Sequence, residues 1–128
     1  MKDVLVVAAG GALGAVARYK LSGLLLQRTL DSAFPVPTFV VNVIGCLVAG
    51  ALAGLVERHD LFGPHLRLLL FTGILGGFTT FSAFSLEAAL LWERGRLVAC
   101  VLYIGASVVL SIAGVFAGLA LARGGLVA

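Results

Sequence analysis

Apolar residues fill this sequence in four long blocks, roughly Val4–Leu26, Pro37–Val56, Leu66–Leu91 and Leu97–Ala122. Each is long enough to cross a bilayer as a helix, which takes about 20 mostly apolar residues. The joints between them are short and polar. "QRTLDSAFP" carries turn formers and ends at a proline that cannot continue a helix, "ERHDLFGPH" does the same, and "ERGR" is tighter still. The pattern predicts an all-α integral membrane protein whose residues 1–128 form a single four-helix transmembrane domain, without a soluble domain, linker or low-complexity tail. The opening Met1-Lys2-Asp3 and its apolar run resemble a signal peptide. Because "LSGLLL" resumes the apolar character after Arg18 and Lys20, an uncleaved first helix is expected.

Composition agrees with that class: 61% of the 128 residues are hydrophobic and 12% charged, with a mean hydropathy of +1.15, outside the soluble globular range. A dispersed net charge of +3 does not suit nucleic acid. Cys46 and Cys100 lie in different spans, with neither metal-ligand spacing nor a disulfide framework, and read as small packing residues. His59 and His65 share one joint, and no nucleophile and base are paired by spacing, so no enzyme is indicated.

Charge at the helix ends changes the picture more. With alternating spans, one face receives Lys2, Arg58, Arg67 and Arg123, and the other receives Arg28, Arg94 and Arg96 with Lys20 near it. Orientation is set by an excess of cations on the cytoplasmic side, and here the excess is almost nil. Such a chain can insert both ways up. Two oppositely oriented copies could then pair about an axis in the membrane plane, giving the inverted-repeat geometry that larger transporters build by duplication.

Small residues recur at four-residue spacing in every span: Gly10 and Gly14, Gly50 and Gly54, Gly73 and Gly77, Gly114 and Gly118. They let helix backbones approach closely, which predicts tight packing and places any pathway along grooves completed by a partner subunit. The third span is more particular. Its centre, "GILGGFTTFSAFS" from Gly73 to Ser85, combines glycines, hydroxyls and phenylalanines. Either the helix is broken near the midplane, releasing carbonyls around Gly76 to Thr79 for a cation and restarting near Thr79 or Thr80 with its positive end toward an anion, or the glycines only allow close packing of a continuous helix. Phe81 and Phe84 share a face, and aromatic rings carry a positive edge; such a stripe is otherwise lipid-facing or core. Ser82 and Ser85 alternate with these rings.

Asn42 is the only carboxamide within a span. It can serve as an interhelical hydrogen bond, worth roughly 0.6 kcal/mol, or as an NH2 donor aimed into a pathway. Tyr103, Ser107 and Ser111 form a hydroxyl stripe at four-residue spacing on the fourth helix. Arg18 interrupts the first span, where an unpaired central charge costs at least about 2.5 kcal/mol; it either snorkels or lines a wet vestibule. Glu87 in the third span could pair with Arg18 or another cation, hydrogen-bond near a mouth, or carry a proton.

Taken together, "GGALGAVARY", "PTFVVNVIGC", "TGILGGFTTFSAFSLE" and the Tyr-Ser-Ser stripe resemble, over essentially the whole chain, the Fluc/CrcB family of small fluoride channels. The resemblance implies a third helix broken near the midplane and an antiparallel, dual-topology homodimer in the cell inner membrane, with two pathways that export fluoride passively and protect against its toxicity. It places Phe81, Phe84 and Asn42 in the pore, and Thr80, Ser82, Tyr103, Ser107 and Ser111 along a polar track. Arg18 takes the vestibule position and Glu87 an acidic position near the track. The backbone carbonyls of Gly76 and Thr79 match the ligands of a structural sodium ion at the dimer interface. One position departs from the pattern: many relatives resemble "FSTF" where this chain has "FSAF", so Ala83 brings no hydroxyl.

The competing function is a proton-coupled exporter of the small multidrug resistance type, similar in length and helix count. That carrier needs a protonatable carboxylate in its first helix, and this first span has none after Asp3. A non-transporting assembly subunit would explain the glycines but not the coincidence of central polar break, Asn42 and hydroxyl stripe. The even cation count makes a direct prediction: cysteine labelling of a tag at either terminus finds both orientations in one membrane. Neutralising Arg94 and Arg96 shifts the population toward the form with Lys2, Arg58 and Arg67 in the cytoplasm. One fixed orientation in every preparation would count against dual topology.

Overall fold

The structure is a computed structural model describing residues 1–30, 32–59 and 62–124. Asp31 in the first joint, Asp60 and Leu61 in the second, and residues 125–128 lie outside the described residues. Among the described residues, four helical spans long and apolar enough to cross a membrane run over Lys2–Arg28, Val36–Arg58, Pro64–Glu93 and Leu97–Arg123, each reaching a little beyond or matching its apolar block. No strand occurs among the described residues.

The elements are α1 (Lys2–Arg28), α2 (Val36–His59), α3 (Pro64–Arg67), a π-helical segment (Leu68–Leu75), α4 (Gly76–Phe78), α5 (Phe81–Glu93) and α6 (Leu97–Arg123). The third span is thus several pieces. It starts at Pro64, whose missing N–H is no loss in a first helical turn. The Arg67 Nε–H donates to the Phe62 carbonyl at 2.8 Å and braces the turn, in which Phe62 takes the left-handed region at φ 81°. The third joint is set by Gly95, at φ 71°. The Gly95 N–H donates to the Trp92 carbonyl and the Arg96 N–H to the Leu91 carbonyl, both at 2.9 Å, the paired bonds of a Schellman stop.

Contacts at the helix ends fix the alternation. Asp3 pairs with His65 at 3.4 Å, Glu57 pairs with Arg123, and Arg58 donates to the Ala122 carbonyl at 3.4 Å. The start of α1, the end of α2, the start of α3 and the end of α6 therefore share one face. It follows that α2 and α6 run parallel.

The glycine motifs sort into two facing pairs. The stripe of α1 lies on the first half of the third span: a Cβ at Gly10 would come within 2.9 Å of the Gly73 Cα, and one at Gly14 would strike the Ile74 carbonyl oxygen. The stripe of α2 lies on α6, where a Cβ at Gly118 would strike the Leu47 carbonyl oxygen and one at Gly50 that of Val115. In lipid, where association rests on close packing, these contacts hold the bundle together. Beyond the break, α5 packs on α6 through Ala88, Leu91, Cys100 and Tyr103, with Phe34, Phe39 and Phe84 against them. Much of the remaining apolar surface, including Leu86, Val98, Val101, Val109 and Phe116, stays exposed on the single chain.

Gly118→Val should destabilise the fold by about 1–3 kcal/mol or more, since the obstacle is backbone that cannot step aside. Size-exclusion profiles in detergent should then show aggregate. Gly23→Ala, with nothing within 4 Å of the added methyl, should elute normally. Equal behaviour of the two variants would mean that the glycine contacts do not hold the bundle.

Candidate functional site

The interruption of the third span occupies two residues. Thr79 (φ −78°, ψ 158°) and Thr80 (φ −150°, ψ 116°) are extended between α4 and α5. Threonine suits both sides of such a gap. The Thr79 N–H and hydroxyl both donate to the Leu75 carbonyl, at 3.0 and 2.9 Å, closing the first piece. Thr80 Oγ1 accepts from the Ala83 N–H at 3.2 Å, capping α5 in the manner of an N-terminal threonine. The Thr80 peptide groups are then met from α2. Asn42 Oδ1 accepts from the Thr80 N–H at 2.8 Å, and Asn42 Nδ2 donates to the Thr80 carbonyl at 3.0 Å.

The third span is interrupted and not a continuous helix, yet two of its glycines do serve close packing. Gly73 and Gly77 are packing positions, facing Gly10 and Gly11 of α1. Gly76 is helical at φ −62°, ψ −36°, so the break falls on the threonines rather than the glycines. In a continuous helix the Thr80 N–H would bond the Gly76 carbonyl; Asn42 takes that N–H instead and releases the carbonyl. Gly76 is exposed on the chain surface, and only the Phe71 oxygen, at 3.7 Å, would meet a Cβ there.

Beside the break lies a groove of about 370 Å³. Asn42 and Cys46 of α2 line one wall, Ser107, Val108, Ser111 and Ile112 of α6 another, and Thr79, Thr80, Phe81 and Phe84 complete it. The sequence-predicted residues Asn42, Thr79, Thr80, Phe81, Phe84, Ser107 and Ser111 are thereby brought together. The Phe81 and Phe84 ring centroids are 5.5 Å apart at 43°; Phe81 is 79% exposed on the single chain. Ser107 is 6% exposed, and its Oγ has no hydrogen-bond partner among the described residues. Ser82 is exposed and stands outside the lining, its Oγ 3.4 Å from Thr80 Oγ1.

Tyr103 also stands off the groove wall. Fully buried, it donates its hydroxyl to Glu87 Oε2 at 2.6 Å, while the Thr38 hydroxyl donates to Glu87 Oε1 at 2.8 Å. Glu87 is thus held by two hydroxyls rather than by Arg18. The two are separated because α1, which carries Arg18, packs on the first half of the third span and Glu87 lies in the second. The Tyr103 ring meets Phe84 at 5.2 Å, so the carboxylate cluster and the groove share a wall. Thr38 went unnoticed in the sequence, although it precedes Asn42 by four residues and so shares its helix face. Arg18 is half-buried, its Nε unpartnered among the described residues, and it does not line the groove.

Chemically, the groove offers apolar walls with a few convergent hydrogen-bonding groups: a carboxamide, hydroxyls and aromatic edges. It borders the positive end of α5. Among the described residues no cluster of three or more His, Cys, Asp or Glu side chains could hold a metal ion.

A family model described as "CrcB-like protein, Camphor Resistance (CrcB)" matches residues 5–119. A protein of Rhizobium etli named "Fluoride-specific ion channel FluC" is 56% identical over 123 residues, covering 96% of this chain and 98% of its own. Proteins with the same name from Rhodospirillum centenum and Methylobacillus flagellatus are 54% and 49% identical, each match covering 96% of this chain and 97% and 96% of their own. With nearly its whole length matched by the family model and by relatives about half identical to it, this chain belongs to the CrcB family.

Proposed function

We propose that this protein is a fluoride channel, passing the ion down its gradient along the groove beside the broken third span. The observation that carries this reading is the convergence, within an apolar bundle, of Asn42, Ser107, the Thr80 cap and the Phe81 and Phe84 rings on one groove. A small, strongly hydrated anion needs donors to replace its water. Conduction also needs them weak enough to let go. Hydroxyls, a carboxamide and positive ring edges meet both demands where a buried lysine or arginine would hold the ion. The names carried by the relatives support fluoride as that anion.

One chain leaves the groove open on a side, with Phe81 mostly exposed. A second copy in inverted orientation covers it, and two-fold symmetry then gives two pathways per dimer. At the interface the carbonyls of Gly76 and Thr79 would hold a sodium ion. The released Gly76 carbonyl and the open space at its Cα suit a hard cation with oxygen ligands. When bound, the ion neutralises carbonyl dipoles between the subunits and so stabilises the pairing. An exporter driven by protons would place a carboxylate on the ion's path; none lines the groove among the described residues, which favours the passive reading.

Purified protein in liposomes should release fluoride but not chloride, without a proton gradient. In Phe81→Ile and Phe84→Ile the bulk remains while the aromatic edge is lost. Fluoride efflux per dimer should fall far more than dimer yield, the packing change itself being at most about 1–3 kcal/mol. Normal efflux per dimer in both variants would remove the rings from the pathway. Gly76→Val should leave the single chain folded, since no contact closer than 3.7 Å awaits the new Cβ, yet lower the dimer fraction by filling the cation's surroundings. A variant that dimerises normally and keeps its sodium dependence would move the carbonyl site elsewhere.

A further inference from the structure

The two thiols of the chain sit in opposite surroundings. Cys100 is 3% exposed within the α5 and α6 core, and its Sγ–H donates to the Ala88 carbonyl at 3.3 Å. Cys46, half-buried, lines the groove one helical turn beyond Asn42. Ser107 lines the same groove, more than nine-tenths buried, with an Oγ that has no partner among the described residues. A buried hydroxyl left unpaired is costly, so this groove calls for a polar occupant, water or a hydrated ion, at the level of Ser107. A thiol bordering such an occupant can be met by a water-borne reagent. One sealed in an apolar core is inert.

We propose that Cys46 is a modification site inside the ion pathway, taken by soft thiophilic cations, and that its capture plugs the groove; this rests on the groove being the fluoride path. With Ag+ the step is a plain exchange. The S–H bond breaks, its proton passes to water, and the sulfur electron pair forms the S–Ag bond without any change of oxidation state. Thiolate is the ligand class that soft metal ions select. Cys100, locked by its bond to Ala88, stays unmodified.

The test uses wild-type protein, Cys46→Ala and Cys100→Ala in liposomes loaded with fluoride in chloride-free buffer, with silver nitrate as the probe. Each variant is scored against its own efflux before silver. Silver should bring wild type and Cys100→Ala down to the leak of protein-free vesicles, excess dithiothreitol should restore them, and Cys46→Ala should keep its rate. No loss in wild type, or equal loss in Cys46→Ala, overturns the proposal. A second readout does not depend on flux: wild-type protein in detergent is exposed to silver, freed of excess and unfolded in SDS, and its thiols are titrated. One of the two thiols per chain should remain reactive. Two, or none, would overturn the assignment. If untreated protein releases no fluoride at all, the channel reading fails while the thiol count still decides whether Cys46 is selectively reached.

Discussion

The rest of the site depends on a carboxamide of α2 reaching the backbone N–H and carbonyl of a single residue of the third span. Backbone groups in a bilayer must find partners within the protein, so a helix broken there is tenable only if something meets the freed N–H and carbonyl. Asn42 supplies one acceptor to the Thr80 N–H and one donor to the Thr80 carbonyl, at 2.8 and 3.0 Å. An aspartate would lose the donor and a leucine both. With the gap satisfied, α5 is released from the line of α4 and packs on α6, and the space left between them is the groove. The same clamp withdraws the Thr80 N–H from Gly76. Four residues along the chain thus separate the Gly76 carbonyl from the Thr80 cap at the positive end of α5.

Much of this was legible before any coordinates. Four apolar blocks with short polar joints leave little choice of architecture, and the hydroxyl period on the fourth helix placed Ser107 and Ser111 together. The break itself was harder to locate, because glycine is compatible both with close packing and with irregular backbone. Only the facing positions, Gly73 and Gly77 on α1 and Thr79-Thr80 against Asn42, separate the two uses. Pairings between distant segments were less accessible still. Nothing in the spacing says that Glu87 will take its donors from Thr38 and Tyr103 rather than from Arg18. That outcome follows from how α5 diverges after the break, a consequence of three-dimensional packing.

The Glu87 cluster also shows how rigidity reaches the groove. Tyr103 is fixed at its hydroxyl by the carboxylate, and its ring is flanked by Phe34 at 5.2 Å on one side and Phe84 at 5.2 Å on another. Phe84 therefore leans on a ring that has no freedom to swing. Phe81, which lacks such a neighbour and is 79% exposed on the single chain, takes its order from whatever covers it. Two rings 5.5 Å apart thus differ in what holds them within the chain, Phe84 leaning on Tyr103 and Phe81 standing exposed.

The shared face of the helix ends bears on gene architecture. The start of α1 and the end of α6 lie on the same side, tied there by Asp3 with His65 and by Glu57 with Arg123. Two such units in tandem on one polypeptide, joined by an ordinary loop, would both insert the same way up. To set the second unit upside down against the first, the connector must itself cross the bilayer as a further apolar helix of about 20 residues. A fused form of an inverted pair is therefore recognisable by an odd number of spans, with the extra one serving only to turn the second half over.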